Sequence, residues 1–207
     1  MKKLIALAVL VVALPLSALA SSVGITSQGG TLWISSSGLA TSSSSGFTSP
    51  SQVGKVQNLF GKSFNGSNLG RLTFSTGALT SGSLGSNATF AGGGSFTIAL
   101  NGAMKGLPNA VLFQGTFSGP VTMTQLGNGS FQLVGNITGL LNGHIVNGIV
   151  TMTTGNMRNG QLGIGSANVD IALPVPEPGT LSLLGTGLLG MAGLVRRKRS
   201  LSPHSRS

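Results

Sequence analysis

Cysteine and tyrosine are absent from the 207 residues, carboxylates number only two (Asp170 and Glu177), and histidines only two (His144 and His204). Without Cys there is no disulfide framework and no acylated cysteine of the lipoprotein kind, so packing and hydrogen bonds must hold the fold together. Two-carboxylate glycoside hydrolysis lacks a pair of acids in the body of the chain. Calcium sites and carboxylate metal centres fall on the same count. One His and no Cys in the body assemble no ordinary zinc site. No metal and no cofactor are expected. His144 and Asp170 could formally join a serine in a triad, but no Gly-x-Ser-x-Gly elbow is present. No catalytic residue is assigned, and the chain is not expected to be an enzyme.

Acid is scarce and base is not: 12 Lys and Arg face 2 Asp and Glu, a net charge of +10. Such a balance ordinarily points to nucleic acid or an anionic membrane. Position changes that inference. Lys2 and Lys3 lie at the start of the chain, and Arg196, Arg197, Lys198, Arg199 and Arg206 lie at its end. Residues 21–173 keep only Lys55, Lys62, Arg71, Lys105 and Arg158. These are scattered and form no cluster that would follow a phosphate backbone, so nucleic acid is not an expected partner.

Both ends read as addresses. After Met1-Lys2-Lys3 comes an apolar run over 4–16, and Ala18 and Ala20 are small residues at the two positions a signal peptidase reads. Residues 1–20 are expected to form a signal helix, cleaved before Ser21. Pro15 and the shortness of the run argue against a permanent anchor. At the other end residues 179–195 read as a transmembrane helix; its apolar core, 181–195, spans about 22 Å at ~1.5 Å per residue. Flanking Arg and Lys side chains can make up the difference to a ~30 Å hydrocarbon layer by snorkelling. The run Arg196-Arg197-Lys198-Arg199 sets the topology, holding that end cytoplasmic and the body outside the inner membrane. Gly185 to Gly190 spells G-x-G-x-x-G, but inside an apolar tail it carries no dinucleotide.

Val175-Pro176-Glu177-Pro178-Gly179-Thr180, the Leu-Leu-Gly-Thr-Gly-Leu-Leu-Gly run after it and the closing Arg-Arg-Lys-Arg resemble a PEP-CTERM sorting signal. The resemblance covers about 174–199, within a tail of 174–207, and Pro176, Glu177 and Pro178 match the motif residue by residue. It implies recognition by an exosortase, removal of the tail, and delivery of the body to the cell surface or extracellular matrix of a bacterium that builds exopolysaccharide and biofilm. Physically, Pro-Glu-Pro cannot continue a helix and must be presented extended, with Glu177 as the specificity handle.

Between the addresses the chain reads as all-β. Residues 21–54 form a Ser/Gly-rich N-terminal segment with one ordered strand expected at Thr31–Ser35, and residues 55–173 form the β domain. Short runs at 71–75, 89–91, 95–100, 111–117, 121–125, 130–137, 144–153 and 167–173 carry branched, aromatic or threonine side chains. Phe96, Ile98 and Leu100 alternate with Ser95, Thr97 and Ala99, the period of a half-buried strand. Asn-Gly occurs at Asn65, Asn101, Asn128, Asn142, Asn147 and Asn159. Such pairs favour the positive φ of tight hairpins. An antiparallel sandwich, a barrel or an irregular solenoid all fit this pattern. Because every Phe falls between Phe47 and Phe131, the core is expected to centre there.

The expected function is non-enzymatic: a structural or adhesive surface protein whose Ser/Thr/Asn-rich wall bonds to exopolysaccharide or to copies of itself. A carbohydrate-binding module with Trp33 as a candidate ligand contact is the alternative, and an exported serine hydrolase comes last. Signal peptidase, an exosortase and the inner membrane are the remaining expected partners.

Overall fold

The computed structural model describes residues 22–41 and 49–173, together with Gly187. Apart from Gly187, the terminal helices expected at 1–20 and 179–195 lie outside these residues. So do Ala18, Ala20, Ser21, Pro176, Glu177, Pro178 and Arg196 to Arg199. Among the described residues no helix is long and apolar enough to cross a membrane.

Alternating burial runs through the body as the sequence predicts: Phe96, Ile98 and Leu100 are buried, while Ser95, Thr97 and Ala99 are not. Among the described residues this pattern builds thirteen strands. The first seven are β1 (Ser22–Gln28), β2 (Thr31–Ser35), β3 (Gly38–Ala40), β4 (Ser51–Leu59), β5 (Lys62–Ser75), β6 (Leu79–Gly82) and β7 (Ala88–Phe90). They are followed by β8 (Gly93–Leu100), β9 (Val111–Phe117), β10 (Val121–Gln125), β11 (Phe131–Leu141), β12 (His144–Arg158) and β13 (Gln161–Ala172).

Eight of them close a ring. Each of β1, β4, β5, β8, β9, β11, β12 and β13 pairs antiparallel with the next, and β13 pairs back onto β1 from Ser22↔Ala172 to Gln28↔Ser166. Closure decides between the three architectures left open by sequence. A barrel removes the unpaired edges that a sandwich would leave. Eight strands leave an interior that side chains can fill, and here they do. Phe74, Phe96, Phe113 and Phe117 form an aromatic cluster, with Phe96 and Phe117 edge to face at 5.6 Å between ring centres. The core does not stop at the Phe-containing stretch. Val23, Ile25, Val150, Met152, Leu162, Val169 and Ile171 are buried too, because the first and last strands of the ring are as much wall as the middle ones.

Residues 21–54 supply β1, β2, β3 and the start of β4, so the sheet begins at Ser22 and draws no line at residue 55. The ring strands also run longer than the sequence pattern suggests, up to 15 residues in β12. The reason lies in the Asn-Gly pairs. Asn142-Gly143 and Asn159-Gly160 are two-residue hairpin turns, with φ of 50° and 83°, and of 49° and 73°. Asn65-Gly66 and Asn147-Gly148 instead lie inside β5 and β12. Asn128-Gly129 belongs to a short 3-10 turn between β10 and β11. A pair that tolerates positive φ adopts it only where the ladder ends. Of the tight turns that join neighbouring ring strands, one has no Asn: Phe60-Gly61, at φ 51° and 74°, joins Leu59 to Lys62.

Glycine also serves the wall. Gly115 and Gly139 face each other across β9 and β11. A Cβ on Gly139 would lie 2.4 Å from the Gln114 carbonyl oxygen and 2.5 Å from Gly115 Cα. The backbones approach more closely there than any side chain permits, a device that lets a closed sheet coil.

The three insertions in the ring all leave from the same end. The β2–β3 hairpin lies between β1 and β4, β6 and β7 lie between β5 and β8, and β10 lies between β9 and β11. Their apolar residues Leu32, Ile34, Leu39, Phe90, Val121 and Met123 are buried, so the insertions cap that end. Two buried threonines secure the β2–β3 hairpin. Phe74 N–H donates to Thr41 Oγ1 at 2.8 Å, and Leu39 N–H donates to Thr76 Oγ1 at 3.0 Å. The opposite end has the Phe60-Gly61 and Asn142-Gly143 turns, the loop over residues 101–110, and both ends of the body at the register pair Ser22 and Ala172.

Candidate functional site

The two-residue period sends alternate side chains outward, and the register sets these in rows across the wall. Gln57 (β4), Gly24 (β1), Asp170 (β13), Ile149 (β12) and Asn136 (β11) are successive partners. Strands about 4.8 Å apart make this row roughly 19 Å long. A parallel row runs through Lys55, Thr26, Asn168, Thr151 and Val134, with Thr26 Oγ1 donating to Asn168 Oδ1 at 3.1 Å. A third holds Ser22, Ala172, Asn147 and Thr138.

The first and third rows meet in a groove of about 540 Å³ that includes Ser118, Asn136, Asn147, Ile149 and Asp170. Its surface is mostly aliphatic, from Ile137, Ile149 and Ala172, with amides, hydroxyls and one carboxylate set around it. This suits a neutral, polyhydroxylated ligand, because each sugar hydroxyl both donates and accepts. Sequence reading missed Asn136, Asn147, Asn168 and Gln57 as a group. Asn147-Gly148 reads locally as a turn, and only register brings it beside Asn136 and Asp170.

A second cavity, of about 360 Å³, opens at the uncapped mouth of the barrel, between the Phe60-Gly61 and Asn142-Gly143 turns. Val23, Leu59, Leu141, Val146 and Leu173 line it with His144. The cavity is lined mainly by apolar side chains, with His144, Asn58 and Asn142 as its polar members.

Trp33 belongs to neither place. It is half-buried on β2, pairs with Gln161, and its ring edge lies against Gly160. Gln161 and Asp170 sit nine positions apart on β13, or about 30 Å at strand rise. Trp33 is therefore at the capped end, far from the groove.

His144 and Asp170 are not brought together either. Asp170 pairs with Ile149, five positions along β12 from His144, a separation of about 17 Å. This pair forms no His–Asp couple. Among the described residues no three His, Cys, Asp or Glu side chains gather as metal ligands.

Fold and surface together define a closed antiparallel β-barrel with a neutral, hydrogen-bonding wall, a capped end and an open end from which the chain runs on into its tail. The tail supplies the second step: residues 174–199 match the family described as the PEP-CTERM protein-sorting motif. The chain carries a PEP-CTERM sorting signal and is an exported protein, addressed to an exosortase at the membrane. No curated protein and no solved structure matches the chain.

Proposed function

We propose that the protein is a non-enzymatic surface component. In this reading signal peptidase removes 1–20, the tail holds the body outside the inner membrane with Arg196 to Arg199 cytoplasmic, and exosortase processing at Pro176-Glu177-Pro178 delivers the barrel to the surface or matrix. There the barrel binds neutral exopolysaccharide. The observation that carries the reading is the groove lined by Ser118, Asn136, Asn147, Ile149 and Asp170, continued along the wall by the outward row through Asn168, which together offer many hydrogen bonds beside an aliphatic surface.

Each neutral hydrogen bond is worth about 0.5–1.5 kcal/mol, so affinity would come from repetition along a polymer. The test is binding of the purified protein to exopolysaccharide isolated from its host. Asn136→Ala together with Asn147→Ala should weaken binding roughly 5- to 100-fold, while Trp33→Ala leaves it unchanged. Binding lost on Trp33→Ala and kept in the double variant would favour a discrete carbohydrate module at the capped end. Separately, Glu177→Ala should leave the body unreleased in cells that hold an exosortase.

A further inference from the structure

The exposed large apolar side chains are not spread evenly over the barrel. At the mouth Phe60 is 68% exposed and Ile145 78%, Leu140 and Val111 are more than half exposed, and Met104 reaches 39% beside them. At the capped end Leu84, Leu126 and Met157 are only 36–39% exposed, and on the wall Val134 is 36% and Ile149 52% exposed. Leu140 and Ile145 are direct cross-strand partners next to the Asn142-Gly143 turn. Phe60 occupies a left-handed backbone position that a bulky residue rarely takes. Lys62 follows the Phe60-Gly61 turn. Lys105 lies in the loop over 101–110, and a Cβ added to Gly106 of that loop would lie 4.0 Å from Lys62 Nζ. The charged and titratable groups around this rim are Lys62, Lys105 and His144, with Arg71 beside Asn101 and Asn109 of the 101–110 loop, and the nearest carboxylate on the wall, Asp170, is two residues from the end of β13.

Both ends of the body emerge here, at Ser22 and Ala172. Seven residues (174–180) separate Leu173 from the apolar run that begins at Leu181. Fully extended they span at most about 25 Å. While the tail remains attached, the barrel is tethered to the apolar run from its mouth. An aromatic and aliphatic rim interleaved with lysine is the composition that settles at a lipid headgroup layer.

We propose that the mouth of the barrel is a membrane-docking surface: Phe60, Met104, Leu140 and Ile145 insert shallowly into the bilayer that holds the tail, and Lys62 and Lys105 contact anionic headgroups. This rests on the reading of 179–195 as a membrane-inserted tail. Docking orients the uncleaved protein, with its capped end pointing away from the bilayer and the Pro-Glu-Pro motif held at the lipid surface, where a membrane-embedded enzyme can reach it.

The chain has no cysteine, so single substitutions Met104→Cys (rim), Ser86→Cys (capped end) and Leu184→Cys (tail) can each carry one fluorophore in the full chain. The labelled chains are reconstituted into phosphatidylethanolamine–phosphatidylglycerol vesicles containing a headgroup-level spin-labelled lipid. Quenching of the Met104→Cys label should exceed that of the Ser86→Cys label several-fold. Adding Phe60→Glu and Ile145→Glu, or Lys62→Glu and Lys105→Glu, should bring it down to the Ser86→Cys level with the β-sheet circular dichroism unchanged. A quenched tail label with rim and capped-end labels alike overturns docking and leaves tail insertion standing. An unquenched tail label overturns the tail reading, and docking falls with it. A rim label that responds to protein concentration without lipid assigns the surface to a second copy and also overturns docking.

Discussion

The two ends of the barrel solve the same problem differently. A closed sheet has no edges, but its core is open at top and bottom. At one end the chain covers the opening with inserted strands, burying Leu32, Ile34, Leu39 and Phe90 and tying the β2–β3 hairpin to β5 through Thr41 and Thr76. At the other it uses tight turns and the loop over 101–110, tucks in Leu107, and leaves a cavity with exposed Phe60 at its edge and Leu140 and Ile145 exposed on the outer rim. The capped end behaves as core, so its residues should contribute stability. The mouth behaves as surface, so its residues should be dispensable for folding and retained for another purpose.

The largest test of this contrast is Phe90→Ala, in the cap. Phe90 is fully buried, and its truncation should lower unfolding free energy by about 3–5 kcal/mol, read by urea denaturation. Gly139→Ala probes the wall between the ends. Its Cβ would collide with Gln114 and Gly115, with an expected loss of roughly 2–3 kcal/mol in the same assay. Thr41→Val keeps the shape of the cap but takes away the acceptor of the buried Phe74 N–H, and should cost about 1–2 kcal/mol. Phe60→Asn at the mouth should have the opposite sign. It gives the turn an Asn-Gly pair that accepts positive φ, and should stabilise by about 0.5–1 kcal/mol. A destabilised Phe60→Asn chain would mean that the mouth, too, is core, and the contrast between the ends would fail.

Strand identity was legible wherever period and composition agreed, as at Ser95 to Leu100 and Val121 to Gln125. It was hidden at Ser22–Gln28 and Ser51–Leu59, where Ser, Gln and Gly dominate and a lone sequence reads linker. Those segments become strands because neighbours on both sides satisfy their backbone groups, a tertiary effect that overrides weak propensity. The Asn-Gly pairs show the same limit. Asn142 and Asn147 look alike locally, yet one turns the chain and the other sits in mid-ladder. Trp33 attracted attention as the lone tryptophan, while the groove is made of common asparagines that only register assembles.

Sequence alone determined the sorting address, because Pro176-Glu177-Pro178, the apolar run and the basic cluster act as a contiguous stretch read in order. It also determined the all-β character, which follows from period and composition over a few residues at a time. Tertiary structure alone decided that the sheet closes, that its insertions gather at one end, and that Asn136, Asn147, Ile149 and Asp170 share a groove. Closure joins Ser22 to Ala172 across the whole length of the body. Such pairings depend on register between segments far apart in the chain, and no local pattern encodes register by itself.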